Sequence, residues 1–263
     1  MSGRKENPVL FVGAGPGDPE LITVAGKKAL EQADLVVYAG SLVSAEMLTW
    51  CQAGVEAIDS AGLNLDQIVG HLSRGWQAGL RVVRLHTGDP SLYGAIAEQM
   101  RRLTREGVPY RVIPGVTAAF AASAALGLEY TLPELCQTLI LTRAAGRTPV
   151  PPGEDLASLA AHGASMAIYL SVGQSRAVSE VLAAAFGPDA PVAVVYRASW
   201  PDQKVVWTTA ARLADDLAAQ SVTRQALILA GPSVAALARG DAAAESQLYD
   251  AGFSHGYRPA GAE

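Results

Sequence analysis

The chain has 263 residues, half of them hydrophobic and 17% charged, with a formal net charge of −5. That balance gives ample core for one large domain or two modest ones and excludes a disordered chain. The acidic sign speaks against nucleic acid or an anionic membrane as the global partner; an anionic small molecule, which needs only a local cluster of arginines, stays open.

Two cysteines, Cys51 and Cys136, are too few for a disulfide framework or a zinc site and fit a reducing cytoplasm. The start from Met1 to Pro8 is polar, and the apolar run after it breaks at Gly13, too soon for a signal peptide. No stretch is long enough to span a bilayer.

In chain order, residues 9–12 are an apolar run that stops at Gly13-Ala14-Gly15-Pro16-Gly17-Asp18. This pattern spells a buried strand ending in a loop where backbone comes close to something. The dinucleotide fingerprint is the first comparison, and it fails on three counts. The third glycine comes one residue early, Pro16 and Pro19 hold the chain extended, and no acid ends the next apolar run, Leu35–Tyr38. A plain strand-to-helix turn is the remaining alternative to a ligand loop.

Thr23 can cap a helix running to Ala33. Strands follow at Leu35–Tyr38 and 55–58, then an amphipathic helix over 64–78 with Leu65, Ile68, Val69 and Leu72 at helical spacing. A strand at 81–85 leads into His86-Thr87-Gly88-Asp89-Pro90 and a helix from about Tyr93 to Glu106. The strand Tyr110–Ile113 ends in Pro114-Gly115 before a small-residue helix over 117–126. Strands alternating with helices predict a largely parallel sheet covered on both faces.

Residues 127–137, with Pro133, break the periodicity and read as a linker. It divides an N-terminal α/β domain with glycine-rich loops, 1–126, from a C-terminal α/β domain, 138–240. Within the latter, strands are expected at 138–142 and 165–170, a helix at 174–186, and a loop rich in proline, glycine and arginine over 143–153. Strands at 192–196 and 204–207 flank Ala198-Ser199-Trp200-Pro201-Asp202-Gln203 and read as a hairpin rather than a crossover. A helix at 211–219 and a strand at Ala226–Ala230 complete a mixed sheet. Residues 241–263 form a tail whose Leu248, Tyr249, Phe253, His255 and Tyr257 suggest docking rather than disorder.

Three loops, 13–18, 87–90 and 114–118, lie at the carboxyl ends of first-half strands, the edge where open α/β sheets collect ligands. Each combines glycine with a polar group: Asp18, Asp89 and Thr117. A bare helix cap is the alternative reading of Asp89, since Pro90 and Ser91 follow it. The histidines are scattered with no metal-ligand spacing, so no metal is expected. Gly173-Gln174-Ser175-Arg176-Ala177 lacks the closing glycine of a nucleophile elbow, and no phosphate-binding loop of the G-x-x-x-x-G-K type occurs. No catalytic residue is assigned. Arg143 and Arg147 are the candidate contacts for an anionic substrate, with a solvated loop face as the alternative.

Residues 12–23, Val-Gly-Ala-Gly-Pro-Gly-Asp-Pro-Glu-Leu-Ile-Thr, resemble the opening signature of the tetrapyrrole (corrin/porphyrin) methylases. Arg84-Leu85-His86-Thr87-Gly88-Asp89-Pro90 resembles their second signature and Pro114-Gly115-Val116-Thr117-Ala118 their third, and the likeness runs from Val9 to about Ser233. Within the family, Tyr38-Ala39-Gly40-Ser41-Leu42-Val43 and the ending Ser246-Gln247-Leu248-Tyr249 through Phe253-Ser254-His255 resemble the branch that methylates precorrin-4, or its cobalt form, at carbon 11.

The resemblance implies two α/β domains with the donor, S-adenosylmethionine, held in a cleft between them. It also implies S-adenosylhomocysteine as product, a tetrapyrrole substrate and a cytoplasmic homodimer. Family donor contacts carry over to Pro16, Thr87, Gly88, Asp89, Leu92, Thr117, Ala118, Leu170 and Ala198. Leu170 stands where relatives that methylate uroporphyrinogen commonly have methionine. Ala39-Gly40-Ser41 stands where they have an aspartate, so no role of that acid transfers. Methylation at another ring carbon or of diphthine, a nicotinamide oxidoreductase and a non-catalytic binding protein are the alternatives.

Overall fold

A computed structural model describes residues 7–241 and 244–259. The expected polar start, over residues 1–6, and the tail residues 242–243 and 260–263 lie outside the described residues. The chain divides into two compact units. The first comprises 1–121 together with 197–203, the second 122–196 with 204–263. The division falls inside a helix, at 121/122, rather than within 127–137.

The first unit is built on five strands: β1 (Val9–Gly13), β2 (Leu35–Tyr38), β3 (Glu56–Asp59), β4 (Val82–His86) and β5 (Tyr110–Ile113). They form one sheet in the order β3-β2-β4-β1-β5, and every pairing is parallel. Parallel neighbours need crossovers, and helices supply most of them: α1 (Val24–Glu31), α2 (Leu65–Gln77) and α3 (Ile96–Arg105).

The strand period of two sorts side chains to the two faces. Val12, Val36, Val83, Leu85 and Ile113 pack with Ala29, Leu30 and Met47. Val9, Phe11, Leu35, Val37 and Val82 pack with Leu72 and Leu103. Both faces are thus buried, as a parallel sheet requires. Helix α2 opens on a capping box between Asn64 and Gln67. Helix α3 begins at Ile96, later than expected, because Tyr93 and Ala95 both sit in left-handed backbone.

Helix α4 (Ala118–Leu126) carries the division. The second unit then holds β6 (Leu139–Arg143), α5 (Leu156–Ala160), β7 (Ser165–Tyr169), α6 (Ser175–Phe186), β8 (Pro191–Tyr196), β9 (Lys204–Thr209), α7 (Leu213–Ala219), β10 (Ala226–Ala230) and α8 (Pro232–Arg239). Its sheet runs β6-β7-β10-β8-β9, with β6 and β7 parallel and the other pairs antiparallel. The expected mixed sheet and β8–β9 hairpin are both present.

Leu156, Val178, Leu182, Leu213 and Leu217 from α5, α6 and α7 cover one face over Met166, Ile168, Val194 and Ile228. Helix α8 packs on β7, β8 and β10. It starts with Pro232 at its first position and ends on a left-handed Gly240. In the tail, Arg258 Nη2 donates to the carbonyls of Leu248 and Asp250. That folds the segment on itself and leaves Tyr249 and Tyr257 exposed. No helix among the described residues is long and apolar enough to cross a membrane.

Candidate functional site

The strand order places β1 between β4 and β5, so the three glycine loops meet at one sheet edge. Ala14 N donates to His86 O at 2.7 Å, and Gly15 and Gly88 exchange both main-chain bonds, at 3.3 and 2.7 Å. A Cβ on Gly13 would lie 2.6 Å from Gly115 Cα and 2.6 Å from Gly88 O. No residue but glycine fits there, so three backbones touch with no side chain between them. At Gly88 the missing Cβ would instead find only Thr117 Cα, Val116 O and Ala118 N, at 3.8–4.0 Å.

Asp89 pins this arrangement. Its Oδ2 accepts Gly115 N at 2.9 Å, its Oδ1 accepts Ser91 N at 2.8 Å and is also bonded by the Ser91 hydroxyl. Its carboxylate therefore caps its own turn and also holds a neighbouring loop. Leu92 N returns to Asp89 O, and Thr117 O accepts the first turn of α4. Pro16 is buried in the first loop. Ala198, buried on the β8–β9 tip, belongs by its contacts to this same unit. The structure thus brings Pro16, Thr87, Gly88, Asp89, Leu92, Thr117, Ala118 and Ala198 into one unit.

Leu170 stands in the second unit, at the carboxyl end of β7. It has φ of 54° and is 69% exposed. A branched side chain held left-handed and in solvent is strained by about 1–3 kcal/mol, a pattern that clusters at ligand clamps. Arg197 and Ser199, flanking Ala198, are left-handed as well, with φ of 46° and 68°.

Below the loops, β4 carries two buried polar residues. Arg84 donates to Gln99 Oε1, Val37 O and Ser60 Oγ, and burial pushes its pKa down to about 10. His86 stacks on Phe11 with ring centroids 5.9 Å apart. Burial, aided by the charge of Arg84, pushes its pKa down to about 3, so it is a neutral packing group.

The two candidate substrate arginines differ. Arg143 ends β6 and donates to the carbonyls of Ala144, Thr148 and Pro149, so it staples its own loop. Arg147, at the loop's tip, is exposed.

Two contributions went unread in the sequence. Trp200 and Ser199 bond to the first glycine loop, a contact some 180 residues distant in the chain. Asp59, ending β3, accepts Gly40 N and Ala61 N, each at 2.9 Å. A carboxylate thus stands beside Ala39-Gly40-Ser41 after all, supplied by a different strand.

A parallel sheet whose strand ends interlock through bare backbone, followed by a mixed sheet, defines an α/β protein. The chain belongs to the Tetrapyrrole (Corrin/Porphyrin) Methylases, whose family model matches residues 8–214.

It is 50% identical to a precorrin-4 C(11)-methyltransferase of Pseudomonas aeruginosa over 95% of this chain and 98% of that protein. It is 48% identical to a cobalt-precorrin-4 C(11)-methyltransferase of Priestia megaterium, over 94% and 96%. Among solved structures, the X-ray structure of a cobalt precorrin-4 methyltransferase from cobalamin biosynthesis superposes with a TM-score of 0.86 at 47% identity, covering 89% of this chain and 98% of that one. A uroporphyrin-III C-methyltransferase of Thermus thermophilus, complexed with S-adenosylhomocysteine, superposes with a TM-score of 0.73 at 29% identity, over 91% and 97%.

Proposed function

We propose that this chain transfers a methyl group from S-adenosylmethionine to carbon 11 of precorrin-4, or of its cobalt form, in cobalamin biosynthesis. The observation that carries this is the 50% identity across nearly the whole length of a precorrin-4 C(11)-methyltransferase.

The strand-edge cradle fits the donor. A zwitterionic amino acid joined to a nucleoside takes hydrogen bonds from main-chain N–H and C=O groups, and Gly13, Gly88 and Gly115 expose backbone where side chains would stand. We assign Pro16, Thr87, Gly88, Leu92, Thr117, Ala118 and Ala198 to donor contact in the first unit, and Leu170 in the second. Asp89 serves them by fixing the loops.

When bound, S-adenosylmethionine supplies a methyl already activated by its sulfonium. The methyl would pass to a carbon of the electron-rich macrocycle, and the electron pair of the broken bond would stay on the sulfur. The residues need only orient the reactants to within ~3–3.5 Å and exclude water. Arg147 is assigned to substrate carboxylates, with Arg143 shaping its loop. We further assign a homodimer working in the cytoplasm; light scattering on the purified protein reads the first.

Incubation with methyl-labelled S-adenosylmethionine and precorrin-4, followed by NMR location of the label, tests the activity. A label at carbon 11 is expected. A label at another ring carbon would move the chain to a sibling activity.

A further inference from the structure

The tip of the β8–β9 hairpin, residues 197–203, folds with the first unit rather than with its own strands. Its grip is specific. Asp18 N donates to Ser199 Oγ at 3.0 Å, and Trp200 Nε1 donates to Pro16 O at 2.9 Å. Between those bonds the indole lies on Gly17. A Cβ there would stand 2.1 Å from Trp200 Cδ1 and 2.3 Å from Nε1.

The ring has a second neighbour. The Arg197 guanidinium sits 4.0 Å from its centroid and pairs with Asp202 at 2.6 Å. Ser199 N is tied to Gln203 Oε1 at 2.7 Å. The ring is therefore held by both Gly17 and Arg197, and the tip is braced from within.

We propose that Trp200 is a positioning residue for the methyl donor, and that Gly17 is its obligatory seat. This rests on the donor assignment above. Pro16 and Ala198 are both assigned to donor contact, yet they lie far apart in the chain, and neither can set the other's place. Trp200 bonds Pro16 directly and sits two residues from Ala198, so its seating fixes their separation. The groove beside the clasp, about 620 Å³, carries Asp18, Glu46 and Asp202 against the single cation Arg197. That acidic excess disfavours a carboxylate-rich tetrapyrrole there, which argues that the clasp serves the donor and not the acceptor.

The test is a double-mutant cycle on the full chain, read by calorimetric titration with S-adenosylhomocysteine and by the melting curve. Trp200→Phe keeps a ring on Gly17 and loses one neutral hydrogen bond, so donor affinity should fall about 2–10-fold. Trp200→Ala and Gly17→Ala should each weaken it further and raise the Michaelis constant for the donor more than they lower kcat. Gly17 has no left-handed φ, and the three atoms nearest its missing Cβ all belong to the indole, so its methyl acts by displacing that ring. Added to Trp200→Ala, Gly17→Ala should therefore cost nothing more.

Additive losses in the double variant would overturn the seat. Unchanged affinity in Trp200→Ala, or a lowered melting point with donor affinity intact, would overturn the positioning role. Absence of S-adenosylhomocysteine binding by the wild-type protein would instead remove the donor assignment beneath it.

Discussion

Asp89 Oδ2 accepts the main-chain N–H of Gly115 at 2.9 Å, so the loop after β4 holds the loop after β5 in place. Burial works to raise the pKa of this carboxyl, and hydrogen bonds from Ser91 and Gly115 outweigh it and hold the value below normal. Asp89→Ala strips the Gly115 N–H of its acceptor and should cost about 1–3 kcal/mol of stability. Donor affinity should fall with it, because the proposed donor contacts lie on these loops. Asp89→Asn keeps an acceptor and should lose less of both. Since the folded pKa is depressed, the stabilisation is present above the ordinary carboxylate range, about pH 4, and is lost as pH falls below it. Melting curves and calorimetry on the two variants decide this; lost affinity with an unmoved melting curve would make Asp89 a direct ligand contact.

His86 gives a second pH signature of opposite chemistry. Buried against Phe11 and near Arg84, it stays neutral in the fold down to about pH 3, whereas the unfolded chain takes up the proton near 6.5. The unfolded state thus binds more protons between those values. Stability is full above 6.5 and should fall towards 3 by up to about 1.4 kcal/mol per pH unit from this one group. His86→Leu removes the titration, so urea midpoints taken from pH 7 to 4 should decline less steeply in that variant. Parallel declines would show that other groups carry the acid sensitivity.

Arg143 and Arg147 should separate. Arg147→Ala removes an exposed cation at a loop tip and should raise the Michaelis constant for the tetrapyrrole while donor affinity holds. Arg143→Ala frees the carbonyls of Ala144, Thr148 and Pro149 and should speed amide exchange across that loop as well. Added salt should weaken tetrapyrrole binding by the wild-type protein. Salt-independent kinetics with a silent Arg147→Ala would return the tip to an ordinary solvated surface.

In the tail, Arg258 is the closing element, and Arg258→Ala should unfasten the segment from Ser246 onward. Hydrogen exchange there should become fast while the melting temperature of the body stays put. Protected amides in the variant would mean that Leu248 and the aromatics hold the tail without Arg258.

The alternating elements were legible because both halves announce themselves by period and by glycine or proline stops. Leu35–Tyr38, Tyr110–Ile113 and Ala226–Ala230 fall where the sequence puts them. The strand order was not legible, since pairing β1 with both β4 and β5 rests on contacts across some 70–100 residues. Helices α5 and α8 escaped notice for local reasons: one is five residues long behind a proline run, the other opens on Gly231-Pro232.

The site was legible as three loops and opaque as a mechanism of support. Asp89 offered a ligand contact or a bare cap, and its hold on a neighbouring loop was hidden because Gly115, its second partner, is 26 residues away. Arg143 looked available because a sequence does not show a guanidinium turning back onto its own carbonyls. Trp200 looked like a hairpin tip and nothing more.

Because 197–203 are folded with residues 1–121, the order of synthesis does not match the order of completion. When Ala121 leaves the ribosome, the parallel sheet has all its strands but its first loop has no indole to rest under. About eighty more residues must emerge first, on the order of ten seconds at usual elongation rates. For that interval Gly17 and Pro16 O face solvent. A fragment cut at Ala121 would stay in that state permanently: a complete sheet with an unfinished first loop.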